Sequence, residues 1–155
     1  MLKNVLVVIL ILFTVQFSFS QDVFRKGNNA LHLGGGYRTI GLEAYGANFS
    51  YERSVFQIRK LGYIGVGLTS DLLFLESDID ASGTLRIIYH AGFFRTKVLD
   101  IYSGVGVATA PTEKYLFHPD IFLGFRYVFK NSNFGFFSEM GYYASNYKLG
   151  VCVVW

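Results

Sequence analysis

The chain has 155 residues, with 14 lysines and arginines against 11 aspartates and glutamates and no basic stripe, a balance that gives no sign of a nucleic-acid partner. Its single cysteine, Cys152, excludes an internal disulfide. Hydrophobic residues make up 52% of it, yet beyond residue 20 no run approaches the about 18 consecutive apolar residues of a membrane-spanning helix, so apolar residues must alternate with others.

Residues 1–20 read MLKNVLVVILILFTVQFSFS. Lys3 precedes an apolar run from Val5 to Val15, and Ser18 and Ser20 stand at the −3 and −1 positions of a cleavage site. This is the pattern of a secretory signal peptide, expected to be cleaved before Gln21. No cysteine lies near the cut, so a lipid-anchored product is not expected. The remainder, 21–155, suits one domain.

From residue 30 onward the chain divides into alternating segments. Strands are predicted at 30–37, 42–53, 63–74, 84–94, 99–108, 118–129, 134–142 and 147–155, joined by connections rich in Gly, Ser, Asp, Thr and Asn. In the second, Tyr45, Ala47, Phe49 and Tyr51 alternate with Gly46, Asn48, Ser50 and Glu52. In the fourth, Leu85, Ile87, Tyr89, Ala91 and Phe93 alternate with Thr84, Arg86, Ile88, His90 and Gly92. The sixth and seventh flank a Lys130-Asn131-Ser132-Asn133 turn. Pairing Phe129 with Phe134 matches their apolar faces, sets Gly124 opposite Glu139, and makes Arg126 and Glu139 diagonal neighbours, an expected ion pair. No segment after residue 21 carries a helical period.

Eight alternating strands predict a closed antiparallel up-and-down barrel, whose orientation the second face decides. That face carries His32, Arg38, Asn48, Ser50, Glu52, Thr69, Asp71, Arg86, His90, Asp100, Asp120, Arg126, Glu139 and Lys148, interspersed with many glycines. Small and polar residues opposite large apolar ones fit a narrow lumen, so the apolar face is expected to point outward, toward lipid. A ten-residue strand spans about 34 Å, and tilted by roughly 40° it covers an apolar band about 25 Å tall. Aromatic residues fall at the strand ends: Phe93, Phe129, Phe134, Tyr51 and Trp155 toward one rim, Tyr37, Tyr142 and Tyr147 toward the other.

The final strand presents Tyr147, Leu149, Val151, Val153 and Trp155 on one face. It resembles the C-terminal assembly signal of bacterial outer-membrane barrels, with Trp in place of the commoner terminal Phe. Stretches such as "LRIIYHAGFF", "LDIYSGVGVA" and "IFLGFRYVFKNSNFGFFSEMGYYASNYKLGV" are similar to those of small OmpA/OmpX-like outer-membrane proteins of the Bacteroidota type. The resemblance covers nearly all of 25–155. It implies residence in the outer membrane, contact with membrane lipid and lipopolysaccharide, and recognition of the last strand by the barrel assembly machinery. It implies no particular activity.

An eight-stranded barrel is only wide enough for its own side chains. Arg38, Arg86, Arg126 and Lys148 face Glu52, Asp71, Asp100, Asp120 and Glu139, enough for a plug of ion pairs, with His90 packed among them. The sharper alternative is an ion or proton path. Some small outer-membrane barrels are enzymes acting on lipid A; here the candidates are His32, His90 and His118, with Asp120 two residues beyond His118, but no serine stands at the spacing such deacylases use. The third class is a soluble lipocalin-like barrel, turned inside out, holding an apolar ligand. The expectation is a non-catalytic monomer without metal or cofactor, structural or interactive in the cell envelope. Its loops are short, near 39–41, 76–83, 109–114 and 144–146. Glu76 to Asp80 read as a solvated acidic turn, and 53–62 as the longest connection at the opposite end.

Overall fold

The computed structural model describes residues 23–39, 43–59, 61–75, 78–92, 96–109, 117–142 and 146–155. The expected signal peptide at 1–20, the rim aromatic Phe93, Glu76 and Ser77 of the acidic turn, and most of the loops at 39–41, 109–114 and 144–146 lie outside the described residues. The described chain forms eight strands: β1 (Asn29–Arg38), β2 (Ala44–Ile58), β3 (Gly62–Phe74), β4 (Ile79–Ala91), β5 (Leu99–Thr109), β6 (Phe117–Val128), β7 (Phe134–Gly141) and β8 (Tyr147–Val154). Each pairs antiparallel with the next, and β8 pairs with β1 to close the barrel.

Closure follows from the pattern. A sheet with one apolar and one polar face leaves two hydrogen-bonding edges, and joining them satisfies both. Leu33 meets Val151 and Leu31 meets Val153 across the seam. At its end, Asn29 and Trp155 exchange backbone hydrogen bonds of 2.7 and 3.0 Å. The β6–β7 register places Gly124 opposite Glu139 and Arg126 opposite Phe137, as the matching of apolar faces predicts. The turn joining them holds Asn131 at φ 61, a conformation asparagine tolerates better than most residues.

The two faces divide by polarity. Leu33, Tyr45, Leu68, Leu85, Ile121 and Leu149 are each more than half exposed on the outside. Inside, every polar residue of the predicted lumen is buried except Arg38, which is partly exposed at the rim. Of the inward aromatic rings, three lie opposite a glycine on the neighbouring strand: Tyr102 faces Gly124, Phe122 faces Gly104, and Phe137 faces Gly150. A Cβ on Gly124 would lie 2.5 Å from the Tyr102 ring, and one on Gly150 2.8 Å from Phe137. At Gly124 the three nearest atoms all belong to the Tyr102 side chain, whereas at Gly104 and Gly150 neighbouring backbone crowds the position as well.

Two boundaries differ most from expectation, at the end of β2 and the start of β4. The segment read as a connection at 53–62 is largely strand. β2 runs on to Ile58, β3 starts at Gly62, and a bulge between Ser54 and Phe56 admits one extra residue. The other difference is at β4, which begins at Ile79 rather than Thr84. Ile79 and Ala81 point outward while Asp80 and Ser82 are buried, an alternation that small polar residues conceal. Asp80 is therefore not part of a solvated turn: it faces Arg38 at 3.7 Å.

Candidate functional site: the charged lumen

Period-two geometry sends polar residues from all eight strands into one channel, where charge must be matched because solvent is scarce. The channel holds two main charged groups. Nearer the chain termini, Arg126 on β6 reaches Glu52 on β2 at 2.7 Å and Asp100 on β5 at 3.2 Å. His90 on β4 lies between the same carboxylates, 2.9 Å from Asp100 and 2.8 Å from Glu52. Further in, Arg86 bridges Glu139 at 2.8 Å and Asp120 at 3.0 Å. Lys148 then links Asp71, at 3.1 Å, to Glu139, at 3.7 Å, and the Asn48 amide donates to the other Asp71 oxygen at 2.8 Å.

The expected Arg126–Glu139 pair is replaced by these arrangements. The register that suggested it is observed, but the two side chains choose different partners. Arg126 pairs with Asp100 directly opposite it on β5 and also crosses the lumen to Glu52 on β2, and Glu139 is taken by Arg86 and Lys148. In a barrel this narrow the opposite wall is within reach of an arginine, which a diagonal rule for open sheets leaves out.

Aromatic rings fill the rest. Arg86 lies 4.0 Å from the centre of the Phe122 ring and Arg126 lies 4.8 Å from Tyr102. His32 donates to or accepts from Ser50 at 2.8 Å and stacks on Phe137 at 4.6 Å. Phe24, ahead of β1, turns into the channel, stacks on His90 at 4.3 Å and lies 4.7 Å from Arg126. With Ala30, Val128, Phe137, Cys152 and Val154 it closes the terminal end of the lumen with an apolar cluster.

Tyr102 had a readable signal, since it shares parity with Asp100, Gly104 and Gly106 on β5. Phe24 had none, because it lies outside any alternating segment. Asn146, expected in a loop, is buried: its Oδ1 accepts the Thr39 amide at 2.7 Å, and its amide donates to the Tyr142 carbonyl at 3.1 Å.

His118 and Asp120, raised for catalysis, share the inward face of β6. Asp120 is buried and bound to Arg86, and His118 is half-buried near the start of β6, away from the termini. Among the described residues no group of three or more His, Cys, Asp or Glu is arranged to hold a metal ion. A small cavity bordered by His32, Glu52, Arg86, Tyr102 and Glu139 measures about 10 Å³, about the space of one water molecule. What the arrangement accomplishes is charge neutralisation and cross-linking of opposite walls. Tyr147, Leu149 and Val153 of the final strand are exposed on the outside with Trp155, and Val151 is half-buried beside them. Comparison with known protein families, with curated proteins and with solved structures finds no match to this chain.

Proposed function

We propose that this chain is an integral outer-membrane barrel of the small OmpA/OmpX-like kind, exported by a cleaved signal peptide, with a packed lumen and a structural or surface-interaction role in the envelope. One observation carries the reading: the barrel is apolar outside and charged inside. Each large apolar side chain left in water forgoes about 1.5–3 kcal/mol, so a whole wall of them forgoes on the order of tens of kcal/mol. Net folding stability is only about 5–15 kcal/mol, so such a wall calls for an apolar surrounding. Exposed apolar patches on soluble monomers are far smaller. A lipocalin-like ligand barrel needs an apolar cavity, and the channel here is filled with ion pairs.

The expected partners are membrane lipid and lipopolysaccharide on the outer wall and, during biogenesis, the assembly machinery acting on β8. The barrel is expected to work as a monomer without cofactor. The test is electrophoretic mobility of the outer-membrane fraction in SDS, unheated and boiled. A folded membrane barrel resists cold SDS and shifts on boiling. Protein found in the soluble periplasmic fraction with no shift would overturn the reading.

A further inference from the structure

We propose that the end of the barrel bearing the chain termini carries a basic collar that selects anionic phospholipid headgroups, an inference that rests on the membrane-barrel reading above. Six exposed cations gather at this end: Arg25, Lys26, Arg53, Arg59, Lys97 and Lys130. The topology brings them together from five places in the chain. Arg25 and Lys26 follow Phe24, whose buried ring fixes that segment against the lumen, and Gly27 donates to the Ser54 carbonyl at 3.0 Å. Arg53 stands opposite Asn29 at the start of β1. Arg59 lies in the β2–β3 turn. Lys97 precedes Val98, whose carbonyl accepts from Val128 at 2.7 Å, and Lys130 lies in the β6–β7 turn, from which Asn133 accepts the Val154 amide at 2.8 Å.

No exposed carboxylate side chain among the described residues offsets them at this end. Glu52 and Asp100 are the acids at this depth, and both are buried against Arg126 and His90. At the opposite end the exposed charged side chains among the described residues are acidic, Glu43 and Asp78, while Arg38 faces Asp80. The charge is therefore polarised along the barrel axis.

The collar also adjoins the apolar wall directly. Arg53 is the next outward position after Tyr51 on β2, and Lys130 follows Phe129. Phe129, Phe134 and Phe136 pack ring against ring beside them, with centroids 5.4–6.3 Å apart, and Trp155 is half exposed nearby. Aromatic rings at the edge of an apolar band sit at headgroup depth. Cations at that depth meet phosphates, and each basic residue near an anionic surface adds attraction that salt screens. An acidic protein would need charges displayed clear of the lipid boundary; Arg53 and Lys130 are set at that boundary.

The test uses the folded barrel purified in detergent and reconstituted into phosphatidylcholine vesicles containing spin-labelled phosphatidylglycerol or spin-labelled phosphatidylcholine. The restricted spectral component reports lipid held at the protein surface. Phosphatidylglycerol is expected to associate about threefold or more over phosphatidylcholine, falling to parity at high salt. The combined Arg25→Gln, Lys26→Gln, Arg53→Gln, Arg59→Gln, Lys97→Gln and Lys130→Gln variant should show parity at low salt. Should that variant fail to fold, the salt titration of the unaltered protein decides alone. Equal association at low salt, in vesicles whose protein still shows the heat-dependent mobility shift, overturns the collar and leaves the membrane reading intact. Loss of the mobility shift in the unaltered protein overturns the membrane reading itself.

Discussion

At the scale of single residues, the lumen depends on groups that are costly to bury alone. Arg126 is fully buried and serves two carboxylates at once. Removing it as Arg126→Met leaves Glu52 and Asp100 with His90 as their remaining close side-chain partner. The expected loss is about 3–5 kcal/mol, read from urea unfolding of the folded barrel in detergent. Arg126→Lys should restore little of it, because a single ammonium lacks the planar fork that spans both acids. A loss below about 1 kcal/mol for Arg126→Met would show that water enters the channel freely. Gly124 offers a test of shape instead of charge. The nearest atoms to its missing Cβ all belong to the Tyr102 ring, so Gly124→Ala should cost about 1–3 kcal/mol. In a Tyr102→Ala background the same change should be close to neutral. Additive losses in that double-mutant cycle would refute the exchange of ring for glycine.

At the scale of elements, β8 has two separable duties. It closes the barrel by pairing with β1 and β7, and we propose that its outward face is read during assembly. Trp155 contributes its backbone to the seam and its exposed ring to the outward face. Trp155→Ala keeps the backbone bonds and removes the ring. The expected result is a severalfold drop in barrel inserted in cells, with the urea midpoint of protein refolded in detergent nearly unchanged. Equal insertion of both proteins in cells would remove Trp155 from the assembly signal. The β2–β3 hairpin shows the opposite relation between pattern and element. Its strands run past the level at which β1 begins, and the bulge near Val55 breaks the strict alternation there. The segment therefore reads as a loop although its backbone is paired.

At the scale of the whole molecule, the channel is a cross-brace. Ion pairs tie β6 to β2 and β5, β4 to β6 and β7, and β8 to β3 and β7. Rings of Phe24, Tyr102, Phe122 and Phe137 fill the space between them. A barrel braced in this way should not conduct. Reconstituted into a planar bilayer, the protein is expected to give no unitary current steps in either polarity. Regular steps would show an open path and favour an ion-conducting role over the structural one proposed here.

The alternation of residues determined much of this protein by itself. Because side chains on a strand alternate with period two, β5, β6 and β8 are legible within a residue or two, as is the β6–β7 register. So is the inward placement of most charged residues, from Glu52 to Lys148. The first turns of β4 were not legible, because Ser82 and Asp80 give the polarity of a loop and only pairing with Asp71 and Leu73 on β3 makes them strand. Partner choice in the lumen was likewise left open. Alternation says which face a side chain occupies, but whether Arg126 meets Glu139 beside it or Glu52 across the channel depends on the diameter and stagger of the closed barrel. Phe24 belongs wholly to tertiary structure. Nothing local directs an isolated aromatic ahead of β1 into the channel; it goes there because the closed sheet offers His90 and Arg126 as the walls of an apolar and cationic recess.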